Sequence, residues 1–165
     1  DPRPLPPPAA VTGRRVALLL TVEDLHPESW PVAADIVGCA GLAPPQVGDP
    51  GGPAAAFDRG ALADGLARAA ARFGVDGELL APDAIAAWAA ATGADEIVTG
   101  YPPVGLVGWQ LAEIARRLEA QGQRLVPLRR AWDEIAWPRA TAGFFKFRAV
   151  IPQLVSALAA PANGR

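Results

Sequence analysis

Apolar runs of strand length alternate with helical stripes along most of the chain. Arg15-Val-Ala-Leu-Leu-Leu-Thr-Val22 is a continuous apolar run, the pattern of a strand buried on both faces of a parallel sheet. Glu96 to Thr99 and Arg124 to Leu128 repeat it, and Val75 to Leu80 does so with a break at Gly77. The spacing predicts a helix over 54–73 with Phe57, Leu62, Leu66, Ala69, Ala70 and Phe73 on one stripe, and Asp64 and Arg68 paired on its surface. A second helix, over 82–92, starts at Pro82 and Asp83, turns Ile85, Trp88 and Ala89 inward and ends at Gly93. A third, over 104–120, buries Val107, Leu111, Ile114, Ala115 and Leu118 and leaves Gln110, Glu113, Arg116, Arg117 and Glu119 to water. Strands alternating with crossovers of helical length imply an α/β fold. The expectation is a Rossmann-like three-layer sandwich over 14–160 with a mostly parallel sheet of about 4–5 strands.

The ends read differently. Residues 1–13 form a proline-rich linker, since proline fixes φ and removes a backbone donor. Near the other end, Ala131 to Trp137 is a short amphipathic element stopped by Pro138. A helix from Gly143 onward carries Phe144, Phe147, Ile151, Leu154, Val155 and Leu158 at helical spacing, which predicts a buried stripe. Residues 161–165 are expected to fray. The chain contains no methionine, so the numbering is expected to begin within a longer translated product or after processing.

Composition narrows the function classes. With 51% hydrophobic and 19% charged residues in 165, a disordered chain is excluded. Purely apolar stretches such as Val16 to Leu20 are far short of the roughly 20 residues a spanning helix needs. No secretory leader is legible, and the expected compartment is the cytoplasm. A net charge of −2 gives the whole surface no general attraction to nucleic acid. One cysteine, Cys39, and one histidine, His26, supply neither a disulfide framework nor a histidine and cysteine metal site. Cys39 reads as a small buried hydrophobe. No serine sits in a nucleophile elbow, so no catalytic residue is assigned.

Three stretches remain as candidates for chemistry. Val98-Thr99-Gly100-Tyr101-Pro102-Pro103-Val104-Gly105-Leu106-Val107-Gly108-Trp109 follows a strand and opens a helix, where α/β sheets place their ligands. Gly100, Tyr101, Gly105 and Gly108 are its candidate cofactor-binding residues, although it has neither the lysine nor the spacing of a phosphate loop. The alternative is a proline-stiffened loop whose glycines let the helix pack closely. From Arg124 to Arg148, six cations stand against Asp133 and Glu134, among Trp132, Trp137, Phe144, Phe145 and Phe147. Arg129, Arg130, Arg139 and Lys146 are the nucleic-acid candidates, set against a reading in which the aromatics are core and the cations simply flank them. Glu23, Asp24, His26 and Glu28 form an acidic loop after the first strand. One histidine with nearby carboxylates could bind a metal or transfer a proton there, set against the preferred reading of His26 as a solvated loop residue.

Val98 to Gly105, then Leu128-Arg129-Arg130-Ala131-Trp132-Asp133, then Trp137-Pro138-Arg139-Ala140-Thr141-Ala142-Gly143-Phe144-Phe145-Lys146-Phe147, together resemble the α/β portion of bacterial photolyase/cryptochrome-like flavoproteins. The layout is similar over residues 15–158, and the motifs lie within 98–152. The resemblance implies a parent protein with a helical FAD-binding domain as partner, and light-dependent DNA repair or blue-light sensing as activity. DNA would then be a ligand of the parent. No FAD-contacting residue carries over, so this chain is expected to hold no cofactor and no complete active site. The alternative is a non-catalytic binding or scaffold domain that docks a partner or a nucleotide at the 100–109 loop.

Overall fold

The computed structural model describes residues 6–45 and 48–159. Five strands, β1 (Arg15–Leu20), β2 (Asp35–Leu42), β3 (Gly77–Leu80), β4 (Glu96–Gly100) and β5 (Arg124–Leu128), form one parallel sheet in the order β3-β2-β1-β4-β5. The α/β class is as expected. The strand that the sequence pattern leaves out is β2, which pairs with β1 from Arg15↔Asp35 to Leu20↔Gly41. Its glycines at 38 and 41 break the apolar run that marks the other strands.

Helix α1 (Pro53–Phe73) packs on one face of the sheet, while α2 (Ile85–Thr92) and α3 (Leu106–Glu119) lie together on the other. Alternation along the strands divides the core accordingly. Leu19 and Ile97 join Leu111, Ile114 and Leu118 of α3, whereas Leu18 and Val98 join Leu62, Leu66 and Ala69 of α1. Phe57 departs from its expected stripe and is 74% exposed. Five residues before Leu62, it lies about 140° around the helix from the line of Leu62, Leu66 and Ala69.

No helix bridges β1 to β2. Their connection carries only a 3-10 turn, Pro27–Ser29, and Trp30, whose ring is buried in the α1-side core. Arg68 of α1 ties this connection down through Glu28 Oε1 (2.5 Å), the Leu25 carbonyl (2.6 Å) and its expected partner Asp64 (3.0 Å).

Two expectations at the ends change. Residues 9–13 belong to the α/β body and are no linker: Ala9 and Val11 pack against the core, and Thr12 hydrogen-bonds Glu96. Residues 1–5 of that linker, and the 161–165 tail, lie outside the described residues. Where one domain over 14–160 is expected, the chain clusters into two compact units, an α/β body at Ala9–Leu128 and a second unit from Arg129 onward that also takes in Pro6–Pro8. In the second unit α4 (Ala131–Ala136) packs on α5 (Phe144–Ala159) around buried Ala136 and Leu154. The expected buried stripe of α5 holds only in part, because Phe144 and Val155 are exposed and Phe147 and Ile151 only half-buried. One short neighbouring helix covers a single line along α5, and Leu154 occupies it.

Candidate functional site

The loop from Tyr101 to Gly105 leaves the carboxyl end of β4 and enters α3. Tyr101 N–H extends the sheet ladder by donating to the Leu128 carbonyl at 2.8 Å. Gly100, just before it, abuts the Asp24 carboxylate so closely that no side chain fits there. Gly108, one turn into α3, lies with the place of its missing Cβ 3.1 Å from the Pro103 carbonyl, which lets the loop fold back on the helix. The sequence candidates therefore divide. Gly100 serves close packing, while Tyr101, Gly105 and Gly108 line a cavity of about 400 Å³.

That cavity is a groove between α3 and the edge strand β5. Thr99, Leu125 and Pro127 form its floor, on the sheet face that α3 covers. Gly108, Leu111, Ala112 and Ala115 form its wall, at helical spacing on α3. Three of these four are small, so the helix stands off the strand without filling the gap. Tyr101, Pro102, Pro103, Val104 and Trp109 make the mouth. No lining residue is charged. Val104 is wholly exposed, Trp109 is 73% exposed and Leu106 is 45% exposed, so the mouth continues as an apolar surface. Sequence reasoning missed Thr99 as a site residue, and missed the groove itself; the signal was the run of small residues Gly108, Ala112 and Ala115 on one line of α3.

A second cavity, of about 450 Å³, opens at the carboxyl ends of β1 and β2, where Glu23, Asp49 and Asp58 face it among Val22, Pro44, Pro45 and Leu106. Burial pushes the Glu23 carboxyl up from its ordinary value. The other members of the acidic loop are engaged in structure. Asp24 accepts from the Trp30 indole N–H (3.2 Å) and the His26 backbone N–H (3.3 Å), and Glu28 pairs with Arg68. The His26 side chain is 64% exposed, as a loop histidine in water should be. Among the described residues no group of three or more His, Cys, Asp or Glu is placed to share a metal ion, and no helix is long and apolar enough to cross a membrane.

The nucleic-acid candidates do not act alike. Arg129 is turned inward: its side chain is 3% exposed, with Nε 2.5 Å from Glu134 Oε1 and Nη2 donating to the Pro6 carbonyl at 2.8 Å. It is unavailable to a phosphate. Arg130 starts α4, where its backbone N–H donates to Asp133 Oδ2 at 3.2 Å. Arg139 and Lys146 are exposed, as are Phe144 and Phe145, whose rings meet edge to face at 5.7 Å. The chain matches no protein-family model, no curated protein and no solved structure.

Proposed function

We propose that this chain is the α/β domain of a photolyase/cryptochrome-like flavoprotein and works there as a binding domain, docking the helical FAD-binding domain on the apolar mouth of the 101–109 loop. The observation that carries this reading is the exposure of Val104, Leu106 and Trp109 together on one loop and helix start, at the end of the Val98 to Gly105 motif and in the helix that follows it. A contiguous apolar surface rimmed by polar residues is the usual mark of an interaction site. The parallel sheet with helices on both faces is compatible with the same parentage. The groove residues do not fit FAD itself, because the loop at the start of α3 has neither the lysine nor the glycine spacing with which such loops cradle a diphosphate. In this reading the flavin sits in the partner domain, and light-dependent DNA repair or blue-light sensing is the work of the whole cytoplasmic protein.

The test is the flavin content of the protein made from its intact reading frame, set beside that of the 165-residue chain. The expected result is about one flavin released per intact polypeptide, with a colourless short chain. The reading also requires that Trp109→Glu weaken association between the chain and the rest of the protein when the two are produced separately. An intact protein free of flavin would overturn it.

A further inference from the structure

We propose that the groove between α3 and β5 is a small-molecule site for an uncharged, flat, largely apolar ligand that is oriented by a hydrogen bond to the Thr99 hydroxyl. The inference concerns this groove alone and holds whatever the parent protein is.

The Thr99 hydroxyl is the central observation. Thr99 is completely buried, and its Oγ1 has no hydrogen-bond partner among the described residues. A buried polar group without a partner opposes folding, and native structures rarely keep one unless something else satisfies it. Valine would fill the same space in a strand without that penalty. Thr99 lies on the α3 side of the sheet, with Ile97, whereas Val98 points to the α1 side. Its side chain therefore faces the floor of the groove, with the hydroxyl closed to water just behind it, where a ligand meets it as the lining side chains part.

The walls define what the hydroxyl would hold. About 400 Å³ lies within the range of small-molecule sites, roughly 300–1,000 Å³. No charged side chain lines the groove, and away from the start of α3 its walls are apolar, so the buried part of the ligand is neutral. Gly108, Ala112 and Ala115 keep α3 clear of Leu125 and Pro127, which makes the space a slot between a helix and a strand. A slot of that kind admits a flat molecule edgewise. Trp109 at the mouth offers a ring to cover its outer edge.

The experiment titrates two probes into the 165-residue chain by calorimetry: 2-naphthol, which is flat, neutral and carries one hydroxyl, and naphthalene, which lacks it. The expected result is saturable one-to-one binding of both, with 2-naphthol about tenfold tighter, the worth of one hydrogen bond. In Thr99→Val the two affinities should become equal, while the urea midpoint stays the same or rises because the unpaired hydroxyl is gone. Ala115→Leu, which fills the slot from a half-buried position, should abolish binding of both and keep the fold. Absence of saturable binding, or a preference for 2-naphthol that survives in Thr99→Val, would overturn the proposal. Neither probe reports on flavin, so these outcomes are separate from those of the parentage test.

Discussion

The Asp24 carboxylate occupies the space that a side chain on Gly100 would need. Asp24 stands in the turn after β1, and Gly100 is the last residue of β4, the strand beside β1 in the sheet. The contact therefore joins the two neighbouring strands at the point where the chain leaves for the 101–109 loop. It also fixes Trp30, whose indole N–H donates to the same carboxylate. Gly100→Ala should destabilise the domain by about 1–3 kcal/mol through overpacking. In a background of Asp24→Ala the same substitution should cost much less. A double-mutant cycle from urea melts reads this directly, and additive effects would remove the contact as the cause.

Glu96 makes folding sensitive to acid. It is 5% exposed, which by itself pushes its carboxyl up, but bonds from Thr12 Oγ1 (2.7 Å), Arg124 Nη2 (2.5 Å) and the backbone N–H groups of Gly13 and Thr12 outweigh burial and hold it down at about 2. A carboxyl depressed in the folded state favours folding above its unfolded value near 4.5. That contribution is lost as the pH falls from about 4.5 towards about 2, where the unfolded chain takes up the proton first. Urea midpoints should therefore drop across this interval. In Glu96→Gln the drop should be shallower, with stability at pH 7 lower by about 1–3 kcal/mol.

Helix α3 offers a test of register. Leu111 is buried against the sheet, while Arg117 lies on the outer face and pairs with Glu113 at 3.0 Å. Leu111→Ala should cost about 2–5 kcal/mol through the cavity it leaves. Arg117→Ala should stay within about 0.5 kcal/mol, since exposed ion pairs contribute little. Equal losses in the two melts would contradict the register.

The α3 pattern was legible because Val107, Leu111, Ile114 and Leu118 form a long unbroken stripe with charged residues opposite it. The same holds for β1, whose apolar run is continuous, and for β4 and β5, whose short apolar centres stand between turn signals. β2 was not legible, because Gly38 and Gly41 are needed for contact with neighbours and so interrupt the run: a Cβ on Gly38 would lie 2.9 Å from Thr92 of α2. The site was half legible. Glycine and proline marked the loop, but the groove depends on what α3 lacks, and missing side chains at 108, 112 and 115 carry no hydrophobic signal. The buried polar role of Arg129 was invisible too, since nothing local shows that Glu134 and the Pro6 carbonyl would surround it.

Cys39 tests the interior of β2. The residue is 1% exposed, and burial pushes its thiol up to about 12. The thiolate is the reactive form, so almost none is present at neutral pH. A thiol reagent such as dithionitrobenzoate should leave the folded protein unmodified over hours and react with one thiol per chain in urea. Rapid reaction of the native chain would show that β2 opens far more easily than its central pairing implies.

The cations of the second unit should separate by burial. Arg129 has its guanidinium enclosed and bound to Glu134 and Pro6, so its loss leaves a partly buried carboxylate and a backbone carbonyl without their donor. Arg129→Ala should destabilise this unit by about 1–3 kcal/mol, the cost of orphaning such groups. Arg139 and Lys146 are exposed and make no ion pair among the described residues, so replacing both by alanine should change stability by no more than about 0.5 kcal/mol. The aromatics divide in the same way. Phe145, 82% exposed, should be replaceable by alanine at little cost, whereas Leu154→Ala should cost about 2–5 kcal/mol. Fluorescence of Trp132 and Trp137 in α4 and the turn after it follows the unit during a urea melt, provided that the other three tryptophans are first replaced by phenylalanine. If Phe145→Ala proved as damaging as Leu154→Ala, the start of α5 would have to be buried in solution, and its aromatics would belong to a core.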